Sequence, residues 1–205
     1  MSELDFIHRW IAAESPDAPV LLLLHGTGGN ENDLIEIGRA VAPGCALLSP
    51  RGKVLENGMP RFFRRFAEGV FDEADIRSRA AQLAAFVGAA AEQYGFDERN
   101  VWALGYSNGA NIAAALLLLH PDVLSGAVLL RAMVPLVPED KPDLTGARVL
   151  LCEGTHDAIV PPDSAEALTN LLRWAGADVE LRWQAGGHGL TANDIEAAHD
   201  FLMRD

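Results

Sequence analysis

Leu104-Gly105-Tyr106-Ser107-Asn108-Gly109-Ala110 is the stretch that decides how the chain folds. An apolar run, Val101-Trp102-Ala103-Leu104, stops at a serine bracketed by two glycines, and a segment of alanine and leucine reaching Leu119 begins directly after it. The run reads as a buried strand and the segment as a helix that is apolar nearly all round. The serine therefore sits on a strand-turn-helix junction, the context that a G-x-S-x-G nucleophile elbow requires. A turn this sharp needs small neighbours on both sides of the serine, because a Cβ there would press on the adjoining backbone. Gly105 and Gly109 meet that need. The unpaired amides of the first turn of the following helix then face any oxyanion placed beside the serine. The competing reading is that Ser107 only caps the helix N-terminus.

Before the elbow, Phe6 to Ile11 has the β-branched and aromatic content of an early antiparallel strand, in which His8 is an ordinary strand residue. Val20 to Leu24 is a short continuous apolar run of the kind found in parallel strands covered on both faces. It ends in His25-Gly26-Thr27-Gly28-Gly29-Asn30. A glycine-rich turn after a buried strand can be a phosphate loop, but this one lacks the Lys-Ser/Thr of a P-loop and the G-x-G-x-x-G register of a dinucleotide site. Paired with the downstream elbow, it reads as the loop whose backbone completes an oxyanion hole, with the amides of Thr27 and Asn108 as donors. His25 is expected to hydrogen-bond this loop and is a candidate substrate contact.

A helix opening at Glu31 or Asn32 follows, with Leu34, Ile35, Ile37 and Val41 on its apolar side, and then a strand from Cys45 to Leu48. Residues 51–71 show little periodicity. They hold Arg51, Lys53, Arg61, Arg64 and Arg65 together with Phe62, Phe63, Phe66 and Phe71. The cluster is compatible with an anion site, or with a loop whose phenylalanines pack on the body while its arginines pair with surface acids. The preferred reading is an excursion covering the mouth of the site, with Phe62 and Phe63 as aromatic walls.

Asp72 to Tyr94 is plainly helical, with Gly95 ending it. Past the elbow, His120-Pro121 closes the apolar helix, and Gly126 to Leu130 is a strand whose exit loop contains Met133. That edge is where ligands meet an open α/β sheet, which makes Met133 a candidate substrate contact. Arg148 to Cys152 and Val179 to Trp183 complete the strands, the latter alternating like a sheet edge, and helices are expected from Asp163 to Ala175 and from Thr191 to Met203. Strands alternating with helices imply one α/β domain over residues 1–205, a mostly parallel central sheet with helices on both faces and no large separate cap.

A serine hydroxyl needs a base within hydrogen-bond reach, itself oriented by a carboxylate. On this kind of fold the acid and then the histidine follow the serine, each on a loop leaving a later strand. Asp157 and His188 satisfy that order. His8, His25 and His120 precede the acid, His199 falls within a helix, and His156 adjoins Asp157 so that the two side chains diverge. Asp140 and Asp143 lie ahead of a strand, and Asp163 begins a helix.

The 29 acidic against 16 basic residues, a formal charge of −13, oppose binding to nucleic acid or an anionic membrane. With 49% hydrophobic residues, 205 residues can bury about 70% of the unfolded surface in one unit. Cys45 and Cys152 lie in apolar runs and read as buried free thiols in a reducing compartment. Met1-Ser2-Glu3-Leu4-Asp5 lacks the features of a secretory signal, and no apolar run approaches the roughly 18 residues of a membrane span. A cytoplasmic protein is expected, with a homodimer left open.

Together, Leu24 to Asn30, Gly105 to Gly109, Gly154 to Pro161 and Gly187-His188 resemble the α/β-hydrolase fold in its phospholipase/carboxylesterase family, which includes acyl-protein thioesterase-like enzymes and small bacterial carboxylesterases. Ser49-Pro50-Arg51-Gly52 and the phenylalanine-arginine stretch are similar to bacterial hydrolases associated with hydroquinones. Thioesterase-type members carry Gln after the serine and a second Gly two residues further on, where this chain has Asn108 and Ala110. The resemblance implies a serine carboxylesterase acting on small esters through an acyl-enzyme, with neither metal nor cofactor. A thioesterase or lactone hydrolase would use the same three residues, and a non-catalytic ligand-binding protein could be built on the same scaffold.

Overall fold

In the computed structural model, which describes residues 4–204, the elements run β1 (His8–Ile11), β2 (Val20–Leu24), α1 (Ile35–Val41), β3 (Ala46–Pro50), β4 (Val54–Glu56), β5 (Met59–Arg61), β6 (Arg65–Ala67), β7 (Val70–Phe71) and α2 (Glu73–Tyr94). They continue with β8 (Val101–Tyr106), α3 (Asn108–Leu119), β9 (Gly126–Leu130), β10 (Arg148–Gly154), α4 (Pro162–Trp174), β11 (Asp178–Gln184) and α5 (Ala192–Leu202). Of the N-terminal segment read above, residues 1–3 lie outside the described residues.

All five side chains of β2 are buried because the strand is covered on both faces. Successive side chains point to opposite sides of a sheet. Val20, Leu22 and Leu24 accordingly join one core with residues of α2, α3 and α4, while Leu21 and Leu23 join another with residues of α1 and α5. Fully burying a leucine contributes about 1.5–3 kcal/mol, so such a strand holds both layers to the sheet.

The main sheet has seven strands in the order β1-β3-β2-β8-β9-β10-β11. Only β1 is antiparallel, pairing His8 with Pro50 and Ile11 with Leu47 of β3. The other pairings are parallel, which carries the exits of β2, β8, β9, β10 and β11 to one edge. This is the architecture of the α/β-hydrolase fold, with no separate cap among the described residues.

Asp72 starts α2 by accepting the Asp75 N–H on its side chain, and Gly95 ends it at φ +75. In α3, every residue from Asn108 to Leu118 is buried, since the helix lies between the sheet and α2. Its seat explains the glycines of the elbow. A Cβ on Gly105 would meet the Gly109 carbonyl oxygen at 2.5 Å, and one on Gly109 would overlap the Leu24 carbonyl.

Several expectations need correction. The first helix is shorter than its sequence suggests: residues 31–34 form a turn and α1 starts after Leu34. Cys45 precedes β3 and is half-buried; both cysteines are free thiols. The aperiodic stretch 51–71 forms two hairpins, β4-β5 and β6-β7, outside the main sheet. Its basic residues do pair with acids, Arg51 with Glu31, Lys53 with Asp5 and Arg64 with Asp72. Phe62 and Phe63, expected at the mouth, are buried in the core instead. No helix among the described residues is long and apolar enough to cross a membrane.

Gly109→Ala is expected to destabilise the fold by about 2–3 kcal/mol, the scale of overpacking a tight interior contact. That lowers Tm by roughly 4–12 °C in a chain of this size, read by thermal unfolding; an unchanged Tm contradicts the steric argument.

Candidate active site

Ser107 occupies the one-residue step between β8 and α3 with φ 53 and ψ −114. Such backbone costs on the order of 1–3 kcal/mol and persists only where its surroundings impose it. Here the Ser107 N–H donates to Leu130 O at 2.8 Å, and Ser107 O accepts from the Asn111 N–H at 2.9 Å. The hydroxyl makes no capping bond to the helix, which removes the simple N-cap reading.

The loop after β11 brings His188 to the serine. Its Nε2 lies 2.9 Å from Ser107 Oγ and its Nδ1 lies 2.8 Å from Asp157 Oδ2. Asp157, on the turn after β10, has a side chain 1% exposed, whereas that of His188 is 21% exposed. Burial opposes ionisation of Asp157. The Ile159 N–H at 2.7 Å, the His188 ring and the Val160 N–H at 3.1 Å nevertheless hold its carboxyl below the usual range. The Thr155 N–H to Gln184 O and the His156 N–H to Gly186 O stitch the acid turn to the histidine loop. This arrangement can deprotonate a serine hydroxyl.

Thr27 and Asn108 line the same cavity as the serine, and neither backbone amide has a hydrogen-bond partner among the described residues. Asn108 is anchored by its side chain, whose Oδ1 accepts the Phe62 N–H at 2.7 Å. Ser107, His188, Thr27 and Asn108 line a cavity of about 240 Å³ together with Met133, Ile159, Phe71, Arg61 and Arg65. Of the candidate substrate contacts, only Met133 is placed on the wall. His25 is 1% exposed, its Nε2 accepting the Gly52 N–H at 3.0 Å and its Nδ1 facing Gly26 O at 2.7 Å. Burial lowers its pKa, and the accepting Nε2 fixes a neutral ring that braces two loops. Phe62 and Phe63 lie behind the wall, and Phe71 supplies its aromatic surface. A larger cavity of about 450 Å³, lined by Pro19, Cys45, Trp102 and Met203, lies at the opposite end of the strands and holds no serine-histidine pair.

A family model for Phospholipase/Carboxylesterase matches residues 7–204. The chain belongs to the phospholipase/carboxylesterase family. It is 50% identical over 182 residues to a Bacillus subtilis protein named "Putative hydrolase MhqD", covering 89% of this chain and 91% of that one. The crystal structure of a Bacillus cereus carboxylesterase is 47% identical and superposes with a TM-score of 0.92 over 94% of this chain and 91% of that one. A carboxylesterase from Mesorhizobium loti is 35% identical, with a TM-score of 0.87 over 93% and 90% of the two chains. Membership of the phospholipase/carboxylesterase family makes the chain a hydrolase acting on esters.

In this family member, support for the site comes from residues that sequence reasoning passed over. Arg131 has φ 59, and its guanidinium is 0% exposed. It donates to both carboxylate oxygens of Asp194 at 2.8 Å, to Cys152 O at 2.9 Å, and to Gly187 O and Gly189 O at 3.0 and 3.2 Å, the carbonyls on either side of His188. Asp194 also accepts from the Thr191 N–H and hydroxyl, closing the capping box of α5. Tyr106 donates its hydroxyl to His188 O at 3.1 Å. Glu153, at the end of β10, accepts the Ala132 N–H at 2.9 Å, and its Oε2 is buried without a partner. Burial pushes its carboxyl up to about 8, so it is neutral at pH 7. A charged residue inside the apolar run before Gly154 and two asparagines in an otherwise apolar helix were the available signals.

Removing Arg131 leaves the Asp194 charge buried, so Arg131→Ala is expected to destabilise by about 3–5 kcal/mol. Replacing both partners with Arg131→Met and Asp194→Leu removes the orphaned charge but leaves the Thr191 N–H and the Cys152, Gly187 and Gly189 carbonyls without these partners, so it should recover only part of that; urea unfolding of the two variants checks it. Glu153 gives a pH signature. Between about 4.5 and 8 the folded chain keeps a proton that the unfolded chain has lost, so stability falls as pH rises through that window. Glu153→Gln lacks this loss, and its stability relative to wild type should grow from pH 5 to pH 8; a gap independent of pH contradicts a neutral Glu153.

Proposed function

We propose that the chain is a serine carboxylesterase that cleaves small carboxylic esters through an acyl-enzyme. The observation that carries this reading is the continuous hydrogen-bonded line from Ser107 Oγ through the His188 ring to Asp157. In the proposed cycle, Ser107 Oγ bonds to the ester carbonyl carbon while its proton passes to His188 Nε2. Asp157 stabilises the imidazolium that results and does not itself take the proton. The carbonyl oxygen, now an anion, is held by the amides of Thr27 and Asn108. One donor of this kind is worth about 3 kcal/mol of barrier. The tetrahedral adduct expels the alcohol, which leaves with the proton from His188. Water then repeats the sequence on the acyl-enzyme, giving the acid and free Ser107.

The strained serine backbone supports this assignment, because a serine that only capped a helix would have no need of a positive φ. The two unpaired amides beside it support the oxyanion role. Ser107→Ala is expected to lower hydrolysis of short 4-nitrophenyl esters by about 10⁵-fold or more while Tm stays within a few degrees. A fluorophosphonate should add to Ser107 in the wild type, seen as a mass increase on the peptide containing it. Retained turnover in Ser107→Ala, or labelling elsewhere, overturns the reading.

A further inference from the structure

One wall of the cavity beside Ser107 carries two arginines. Arg61 and Arg65 converge on a single carboxylate: Glu56 meets Arg61 Nη1 at 3.2 Å and Arg65 Nε at 3.0 Å. Glu56 does not line the cavity, whereas both arginines do. Glu68 lines the cavity as well, 3.7 Å from Arg65 with its side chain 60% exposed, where water and salt screen it. Two guanidinium groups are thus set against one close carboxylate and one screened carboxylate on this wall.

Arg61 is the deeper of the two, its side chain 3% exposed. Its Nε donates to Phe63 O at 3.2 Å and its Nη1 to Thr27 Oγ1 at 2.7 Å, which leaves Nη2 with no hydrogen bond among the described residues. Arg61 lines the cavity and its Nη2 remains open to water, which an arriving acceptor would replace. Desolvation first and the neighbouring Arg65 second lower the Arg61 pKa, against the opposing pull of Glu56 and Glu68. The remainder of the cavity is of a different character, with Met133, Ile159 and Phe71 offering apolar surface. A ligand that fits both sides has a short apolar stem and an anionic end. A guanidinium edge matches the planar carboxylate better than it does any neutral acceptor.

We propose that the preferred esters of this site carry a second, ionised carboxylate, as a half-ester of a dicarboxylic acid does, held by Arg61 and Arg65 while Ser107 attacks the ester carbonyl. The proposal rests on the esterase reading of the same cavity for its chemistry and on the arginine pair alone for its selectivity.

The test compares 4-nitrophenyl hydrogen glutarate with the matching primary amide, which keeps the length and removes the charge. A second arm, O-butyryl glycolate against O-butyryl glycolamide, places the carboxylate on the alcohol half. In at least one arm kcat/KM for the anion should exceed that for the amide by about tenfold or more, the value of one charge-assisted contact, and the preference should shrink with added salt. Arg61→Gln should bring that ratio close to one and Arg65→Gln should reduce it. General damage to the site lowers both substrates together and leaves the ratio alone, so a variant that is merely impaired does not mimic the result. Glutarate, but not glutaramide, should also raise the Tm of Ser107→Ala, a readout that needs no turnover. Ready hydrolysis of amide and anion alike in both arms overturns the proposal and leaves the esterase reading standing, as does stabilisation by neither or both additives. Stabilisation by glutarate in a protein that hydrolyses no ester upholds the anion site and sinks the esterase reading.

Discussion

The site depends on how closely α3 approaches the end of β2. Gly109 sits where a side chain would strike the Leu24 carbonyl, and Gly105 where one would strike Gly109. With the helix seated that deeply, a single residue must turn the chain from strand to helix, and Ser107 takes a left-handed backbone to do so. The same seat puts the start of α3 at the sheet edge where β2 ends, so Thr27 and Asn108 line one cavity with the serine. The exits of β10 and β11 then have only to deliver a carboxylate and an imidazole to a point already fixed.

Around that point, buried side-chain oxygens take up the backbone amides of the loops. Asn108 binds the N–H of Phe62, Asn111 that of Met133, Glu153 that of Ala132, and Asp157 those of Ile159 and Val160. Arg131 works in the opposite sense, offering its donors to the carbonyls around His188. Loops at the exit edge of an open sheet have no ladder partners, and their buried amides and carbonyls need others. Asn108, Asn111 and Glu153 come from a helix start or a strand end, while Asp157 and Arg131 lie on the loops just past β10 and β9, and together they give an irregular edge a fixed geometry.

Much of this was legible from residues close together in the chain. The strand, elbow and helix are one local pattern, and the order of Ser107, Asp157 and His188 follows strand exits that periodicity marks. Arg131 and Asp194 lie 63 positions apart, and nothing in the apolar run ending at Leu130 signals that the next side chain turns inward to reach the start of α5. Strands of two or three residues in the hairpins between 54 and 71 are too short to show a period, so the stretch read as irregular. The sequence leaves Phe62 and Phe63 undecided between mouth and core, because aromatic residues suit both. The Asn108 bond to the Phe62 amide and the burial behind it decide for the core.

The hairpins also divide the molecule by tolerance to change. They contribute no strand to the seven-stranded sheet, and they meet the elbow and the β2 loop through a few hydrogen bonds, chiefly Asn108 to Phe62, His25 to Gly52 and Arg61 to Thr27. Ser107, by contrast, opens a helix whose side chains are buried from Asn108 to Leu118. Substitutions at Arg65, Glu68 or Phe71 alter the charge and shape of the cavity wall without touching a ladder bond of the sheet. Natural variation can therefore reshape the cavity wall while the hydrogen-bonded line from Ser107 through His188 to Asp157 is left in place.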